Sequence, residues 1–175
     1  KNLASKYVKV ALPNSETLNV YVDGKGTKAL MFMHPLANDH RCFSPIYPYL
    51  TEHFTIIAPD LRGTGQSTYK KPVQSFDEVA EDYKHVCDHF GIKKVNLFGL
   101  AFGSFACLPF AANYPELTEK IILSSPGLIR GFPMYRVDTL GKPTDHKIES
   151  RQEVSNHPMI LRTTMAIKKK DREAL

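Results

Sequence analysis

The segment Gly99-Leu100-Ala101-Phe102-Gly103 constrains the fold more than any other part of the sequence. It follows a short apolar run, "KKVNLFG", and opens a run of small and apolar residues, "FGSFACLPFAANYPE". These flanks are typical of a β-strand and an α-helix. The two glycines allow the helix to begin close to neighbouring strands and leave Ala101 at the tip of a sharp turn. The segment therefore predicts a strand–turn–helix unit whose tip residue has a strained backbone.

Three other apolar runs indicate buried strands on either side of this unit. "KALMFMH" and "TIIAPD" precede it, and "KIILSSP" follows it. Continuous apolar character is typical of strands that are covered on both faces, as in a parallel sheet. Before them, "YVKVAL" and "LNVYV" alternate apolar and polar residues around the turn residues "PNSET". This alternation predicts an antiparallel β-hairpin.

The clearest helix is predicted for "SFDEVAEDYKHVCDHFG". Ser75 and Glu78 form a capping box at its start, and Gly91 suits the left-handed residue that ends many helices. A shorter, broken helix is expected in "SPIYPYLTEHF", which carries two prolines. After "KIILSSP" the sequence predicts a long irregular region and then an interrupted helix. Strands that alternate with helices predict an α/β fold with a mainly parallel sheet, led by the antiparallel hairpin.

Composition argues against several classes of protein. No apolar run approaches the ~18 residues of a membrane span, and the N-terminus lacks the apolar region of a signal peptide. The net charge of +5 comes mainly from scattered basic residues, so no nucleic-acid partner is expected. The three cysteines have no metal-binding spacing, and Cys87 and Cys107 fall on apolar helix faces. We therefore expect no metal, no cofactor, no membrane partner and a cytoplasmic location.

Four motifs, taken in order, resemble the α/β-hydrolase superfamily, and in particular its proline-iminopeptidase-like and haloperoxidase-like serine esterases. They are "MFMHPLAN", "PDLRGTGQS", "GLAFGS" and "ANYPE". The family has His-Gly-x in the first motif and Gly-x-Ser-x-Gly in the third. The resemblance implies the α/β-hydrolase fold. It further implies that residues 1–130 form the N-terminal part of the hydrolase core and that residues 131–175 begin a helical lid.

The resemblance also gives roles to individual residues. Ala101 occupies the position of the nucleophile, where the family has serine. The amides of Leu36 and Phe102 would be the two donors of the oxyanion hole. The substrate pocket would include His34, Pro35 and Leu100.

Three further residues near these motifs are expected to be structural. Asp60 and Arg62 would shape the loop beside the site. Ser104 would pack the helix onto the sheet and would not replace the nucleophile, because it points one helical turn away.

Two departures from the family pattern bear on activity. A methyl group at Ala101 cannot attack a carbonyl, and loss of the nucleophile costs serine hydrolases ~10⁶ in turnover. Pro35 stands where the family usually has glycine, and proline fixes φ and lacks an N–H. Because the oxyanion donor is the next amide, the hole can survive this substitution.

The rest of the family's triad is expected downstream of this chain. The acid follows a later strand and the histidine lies near the end of the domain, and no histidine here has that position. The last strands of the fold are likewise not among the predicted elements, which would leave "KIILSSP" as a bare apolar edge. We therefore expect a C-terminal segment or a second chain to complete the sheet and the triad.

These observations favour a serine hydrolase that cleaves a small-molecule ester, amide or lactone through an acyl-enzyme and that Ala101 inactivates. The alternative is a natural non-catalytic protein of the same fold that binds a small ligand or a partner. A third interpretation is acyl transfer to an acceptor other than water. The sequence does not separate acyl transfer from hydrolysis, because both reactions use the same turn.

Overall fold

A computed structural model of the chain describes residues 6–70, 75–125, 135–137 and 143–147. The chain divides into two compact units, residues 1–127 and residues 128–175. The strands of the first unit are β1 (Tyr7–Ala11), β2 (Thr17–Asp23), β3 (Lys28–Met33), β4 (Phe54–Pro59), β5 (Val95–Leu100) and β6 (Thr118–Ser124). Its helices are a 3₁₀ helix (His40–Phe43), α1 (Tyr47–Leu50), α2 (Phe76–Phe90) and α3 (Phe102–Asn113).

The six strands form one sheet in the order β1-β2-β4-β3-β5-β6. β1 pairs with β2 antiparallel, and β2 pairs with β4 antiparallel. The pairs β3–β4, β3–β5 and β5–β6 are all parallel. The predicted α/β architecture, a mainly parallel sheet led by an antiparallel hairpin, is therefore confirmed. The carboxyl ends of β4, β3 and β5 lie side by side at one edge of the sheet.

Both faces of the central strands are buried because their side chains alternate between two apolar layers. One layer contains Met31, Met33 and Leu97 together with apolar side chains of α2 and α3. The other contains Phe32 and Ile56 together with apolar side chains of the 3₁₀ helix and α1. This arrangement explains why the sequences of these strands are apolar without alternation.

The signals that the sequence carries for α2 are confirmed. The Ser75 hydroxyl oxygen accepts a hydrogen bond from the Glu78 amide over 3.2 Å. Gly91 ends the helix in the left-handed conformation, with φ 64°. Cys87 and Cys107 are buried free thiols, as predicted, whereas Cys42 is exposed.

β6 differs from its prediction as a strand covered on both faces. In the described part of the chain it pairs only with β5, and Ile121 and Ile122 remain 38% and 53% exposed. The described residues therefore cover the apolar side chains of β6 only in part. Among the described strands, β6 thus lies at one edge of the six-stranded sheet.

The second unit contains β7 (Tyr135–Val137) and β8 (Pro143–Lys147), which pair antiparallel. The prediction of an irregular region was wrong here, because these strands are short and polar and carry no period that sequence patterns reveal. The interrupted helix predicted for residues 150–175 lies outside the described residues. None of the helices in the described ranges has both the length and the apolar character needed to span a membrane.

Two glycines let α3 begin in contact with the sheet. A Cβ on Gly99 would lie 2.6 Å from the Cα of Ser104. A Cβ on Gly103 would lie 1.9 Å from the carbonyl oxygen of Met33 in β3. Neither distance is possible for a real side chain, so these positions require glycine for space.

We therefore expect Gly103→Ala to lower the free energy of unfolding by about 3 kcal/mol or more, because a backbone oxygen cannot move aside as a side chain can. The matched control is Gly91→Ala. No atom lies within 4 Å of that Cβ, so its cost of about 1 kcal/mol comes from the left-handed backbone alone. Urea unfolding, monitored by far-UV circular dichroism, measures the free energy of unfolding of both variants. Equal losses in the two variants would contradict the close approach of α3.

Candidate active site

The turn between β5 and α3 is strained at its tip. Ala101 has φ 50° and ψ −109°, a conformation that residues with a Cβ rarely adopt. Its amide donates to the Ser124 carbonyl oxygen over 2.9 Å, and its carbonyl oxygen accepts from the Ser104 amide over 3.0 Å. These two hydrogen bonds hold the tip between β6 and the first turn of α3.

The hydroxyl of Ser104 is engaged inside the protein. Ser104 is buried, and its Oγ lies 2.8 Å from the Gly99 carbonyl oxygen and 3.0 Å from the Ser124 carbonyl oxygen. This agrees with the prediction that Ser104 packs α3 onto the sheet.

The loop after β3 forms a turn that contains Leu36. The Asn38 amide donates to the Pro35 carbonyl oxygen over 3.3 Å, and Ala37 has φ 59°. Leu36, Ala37 and Asn38 are all exposed. Within residues 6–70 and 75–125, neither the Leu36 amide nor the Phe102 amide donates a hydrogen bond to a protein group.

His34 holds the start of this loop and is fully buried. Its Nδ1 lies 2.8 Å from the Pro35 carbonyl oxygen, and its Nε2 accepts from the Leu61 amide over 3.0 Å. The acceptor role of Nε2 requires the neutral ring with the proton on Nδ1. Burial, the largest effect, lowers the pKa of His34 and favours that neutral form. The geometry thus gives His34 a role in holding the loop, while Pro35 and Leu100 are half-buried.

Asp60, which follows β4, lies at the centre of a buried polar cluster. Its Oδ1 accepts from the His40 amide over 3.0 Å and lies 2.6 Å from the His40 Nδ1, and its Oδ2 accepts from the Asn19 side chain over 2.9 Å. Burial acts to raise the pKa of Asp60, but the hydrogen bonds from His40 and Asn19 hold it below its usual value. Asp60 is therefore structural, as predicted. Its partner His40 was not identified from the sequence.

His40 and Asp60 are the residue types of the base and acid of a triad, but the pair does not lie beside the turn at Ala101. β3 lies between β4 and β5, so Asp60 and Ala101 follow strands about 10 Å apart. The Nε2 of His40 is buried and has no hydrogen-bond partner among the described residues. A general base must reach the proton that it removes, so this pair is not the missing half of the triad.

Arg62 contributes to the same structural layer. It forms a bidentate, buried ion pair with Asp82 of α2, with N–O distances of 2.7 Å and 2.8 Å. This pair ties the loop after β4 to α2, which agrees with the structural role predicted for Arg62. The sequence did not identify Asp82, because a polar residue next to the apolar stripe of α2 gives no sign of its partner.

Asp39, His40 and Asp60 are the metal-type ligands that come together in the described part of the chain, with their ligand atoms within 4.8 Å. The Asp39 carboxylate already accepts from Arg41, and both oxygens of Asp60 accept from protein donors. The geometry therefore describes a cluster held by internal hydrogen bonds, in which the Nε2 of His40 has no partner among the described residues.

A cavity of about 450 Å³ lies on the side of the hairpin, away from the tip of the turn. Its lining includes Tyr7, Tyr21, His40 and Tyr47. None of the residues predicted for the substrate pocket lines it.

Comparison with known proteins agrees with this geometry. A sequence model of the alpha/beta hydrolase fold family matches residues 28–174, so this chain belongs to the alpha/beta hydrolase fold family. The predicted resemblance and fold class are thereby confirmed. The chain is 33% identical over 114 residues to the soluble epoxide hydrolase of Corynebacterium sp. (strain C12), which covers 63% of this chain and 39% of that protein.

Two solved structures are similar to the chain. A thermophilic esterase from Thermogutta terrifontis matches with a TM-score of 0.64 and 27% identity, over 77% of this chain and 48% of the esterase. A hydrolase from Pseudomonas aeruginosa matches with a TM-score of 0.67 and 22% identity, over 71% of this chain and 47% of that one, which shows the fold alone. The chain thus spans about two fifths to one half of the length of these three proteins.

The strain at Ala101 can be measured directly. We expect Ala101→Gly to raise the free energy of unfolding by about 1 kcal/mol, because glycine adopts φ 50° without a Cβ clash. The control is Ala112→Gly at an exposed position of α3, which should lower it by roughly 0.5–1 kcal/mol. A loss of stability in both variants, measured by urea unfolding, would show that the turn is not strained.

The buried neutral His34 predicts a pH dependence of stability. Its pKa is lowered in the folded state from the ordinary 6.5, so below pH 6.5 the unfolded chain takes up a proton that the folded chain does not. Acidification therefore destabilises the fold, by at most about 1.4 kcal/mol for this residue between pH 7.5 and pH 5.5. His34→Gln keeps an acceptor for Leu61 and should remove this part of the pH dependence. His53 is exposed, so the control His53→Gln should show the same pH dependence of stability as the parent chain. If His34→Gln also shows the parent's pH dependence, His34 is not the buried neutral residue responsible for it.

Proposed function

We propose that this chain carries the carbonyl-binding half of a hydrolase site for an ester, amide or lactone, with its nucleophile position occupied by Ala101. The observation that carries the proposal is the backbone of Ala101, with φ 50° and ψ −109° at the start of α3. A helix that began farther from the sheet could be joined to its strand without this costly conformation, so the close and strained turn itself needs an explanation. Such strain is typical of positions that present a group to a substrate.

The charges around the turn support binding of an oxygen that becomes negative. Phe102 is the first residue of α3, so its amide is one of the free N–H groups at the positive end of the helix dipole. The Leu36 amide, on the neighbouring loop after β3, is the second donor in this proposal. Two preorganised N–H groups are the usual way to stabilise the oxyanion of acyl transfer.

The reaction would need an oxygen nucleophile at position 101. A serine hydroxyl there would attack the carbonyl carbon while a histidine accepted its proton. The bond to the leaving group would break as the histidine returned that proton to it, and water would then release the acid from the acyl-enzyme. Ala101 has no such oxygen. In this proposal the present chain therefore binds the small carbonyl compound without forming the acyl bond.

The similarity to a soluble epoxide hydrolase favours a second candidate. A carboxylate at position 101 could attack an epoxide carbon, and the ring C–O bond would break to give an ester with a neighbouring alkoxide that takes up a proton. Water would then hydrolyse that ester. This candidate uses the same turn and differs in the nucleophile and the substrate.

Substitution at position 101 tests both candidates in the full-length protein. We expect Ala101→Ser to raise the hydrolysis of p-nitrophenyl acetate at least about a thousandfold, because loss of the nucleophile costs about 10⁶. Ala101→Asp should instead open styrene oxide if the epoxide candidate is correct. The control is Ala112→Ser, which places a hydroxyl at an exposed site on the same helix.

The outcomes separate the candidates from a binding protein. Ester turnover only with Ala101→Ser supports the first candidate, and epoxide opening only with Ala101→Asp supports the second. No turnover by either folded variant would refute both, and the chain would then be assigned to non-catalytic binding of a small ligand or a partner. Equal turnover by Ala112→Ser would show that the activity does not come from the turn.

A further inference from the structure

The loop that carries Leu36 has almost no packing of its own. Its three central residues, Leu36, Ala37 and Asn38, are exposed, and the Leu36 side chain is 59% exposed. Ala37 has φ 59°, which costs about 1–2 kcal/mol for a residue with a Cβ. Apolar burial therefore cannot hold the turn in place. Hydrogen bonds must hold it instead, both within the turn, where Asn38 donates to the Pro35 and Leu36 carbonyl oxygens, and at its two ends.

Both ends of the loop are tied to two consecutive residues after β4. At the start, His34 Nε2 accepts from the Leu61 amide over 3.0 Å. At the end, Asp60 Oδ1 accepts from the His40 amide over 3.0 Å and contacts the His40 Nδ1 at 2.6 Å. Two histidines six positions apart thus bind residues 60 and 61.

The anchor at Asp60 is itself fixed. Asp60 is fully buried, its amide donates to the Asn19 carbonyl oxygen over 2.8 Å, and its Oδ2 accepts from the Asn19 side chain over 2.9 Å. These hydrogen bonds fix the position of the Asp60 carboxylate relative to β2. The carboxylate therefore determines where the end of the loop lies, through its contacts with His40.

The ring of His40 is oriented for this single contact. It stacks on Tyr21, with ring centroids 5.3 Å apart and an angle of 9° between the planes, and it meets the edge of Tyr7 at 5.6 Å. The Tyr47 hydroxyl donates to the His40 carbonyl oxygen over 2.8 Å. Nδ1 meets Asp60, while Nε2 is buried without a hydrogen-bond partner among the described residues. Among the described residues, only Nδ1 of this ring has a hydrogen-bond partner.

We propose that the His40–Asp60 pair is a positioning device that sets the direction of the Leu36 amide. This inference rests on the proposed function of that amide as an oxyanion donor. His40 acts through the loop and does not touch the substrate. Nothing in its role requires Nε2, which distinguishes it from a catalytic base.

Two variants of similar size isolate the Nδ1 donor. His40→Asn places an amide N–H near the position of Nδ1, whereas His40→Leu has the same branching and no donor. Both lose the stacking on Tyr21, so the difference between them reports the hydrogen bond to Asp60. His53→Leu is the matched control, because His53 is exposed.

Amide hydrogen exchange in the chain as it stands provides a test without activity. We expect His40→Leu to speed exchange of the Asn38 amide, which bonds to the Pro35 carbonyl oxygen, at least about tenfold and to shift the Leu36 resonance. His40→Asn should restore both toward the parent values. The Phe102 resonance should stay unchanged, because α3 holds it. If His40→Asn behaves as His40→Leu does, the proposal is wrong.

Turnover in the Ala101→Ser background provides the functional test. We expect His40→Leu to lower kcat at least about tenfold with KM within about twofold, and His40→Asn to recover most of it, because loss of an oxyanion donor acts on the transition state. Unchanged kcat in His40→Leu would overturn the proposal. If the Ala101→Ser parent itself has no turnover, the proposed function fails, and the exchange result still decides whether the pair positions the loop.

One measurement needs no substitution and covers the case in which His40→Leu does not fold. Nitrogen-15 spectra of the unmodified chain should show His40 protonated at Nδ1, as a donor to Asp60 must be. An unprotonated Nδ1 would refute the proposed contact.

Discussion

The close contact between the start of α3 and the sheet governs the geometry of the site. Gly103 lies against the backbone of Met33, so close that a Cβ would overlap the carbonyl oxygen. A helix that begins this near the sheet leaves no room for a relaxed connection from β5, and Ala101 takes up the change of direction at φ 50°. The same contact places the positive end of α3 at the edge where β3, β4 and β5 end. The strain at Ala101 and the placement of the first amides of α3 are therefore two consequences of one packing constraint.

The loops around this turn are held by buried polar groups and not by apolar packing. His34 binds Leu61, His40 binds Asp60, and Arg62 binds Asp82, so the loop after β3 and helix α2 are both attached to the segment after β4. The hydrogen bonds in these contacts offset part of the cost of removing the polar groups from water, although the Nε2 of His40 has no partner among the described residues. This framework explains how exposed loops can keep amides in fixed directions. It also explains why the one close His–carboxylate pair in the described residues is structural.

The strands and α2 were predictable because each has a local signal. The apolar runs of β3, β4 and β5, the alternation of the hairpin, and the Ser75 and Gly91 caps of α2 all follow from short-range preferences. The turn at Ala101 was predictable from its glycines. The roles of His40 and Asp82 were not predictable, because each depends on a partner 20 residues away in the sequence. The positive φ of Ala37 was not predictable either, because alanine rarely adopts that backbone angle. β7 and β8 were missed for lack of any period, and the exposure of β6 depends on which strands lie beside it.

The sequence by itself determined the class of fold, the order of its elements and the absence of a nucleophile at the tip of the turn. These depend on residue type and spacing along the chain. Only the tertiary structure decided which polar residues meet, that His34 is neutral and buried, and that the ends of the Leu36 loop are tied to Asp60 and Leu61. The physical reason is that a hydrogen bond between distant segments depends on the relative placement of strands. That placement results from the packing of the whole sheet and is not encoded in any short stretch of residues.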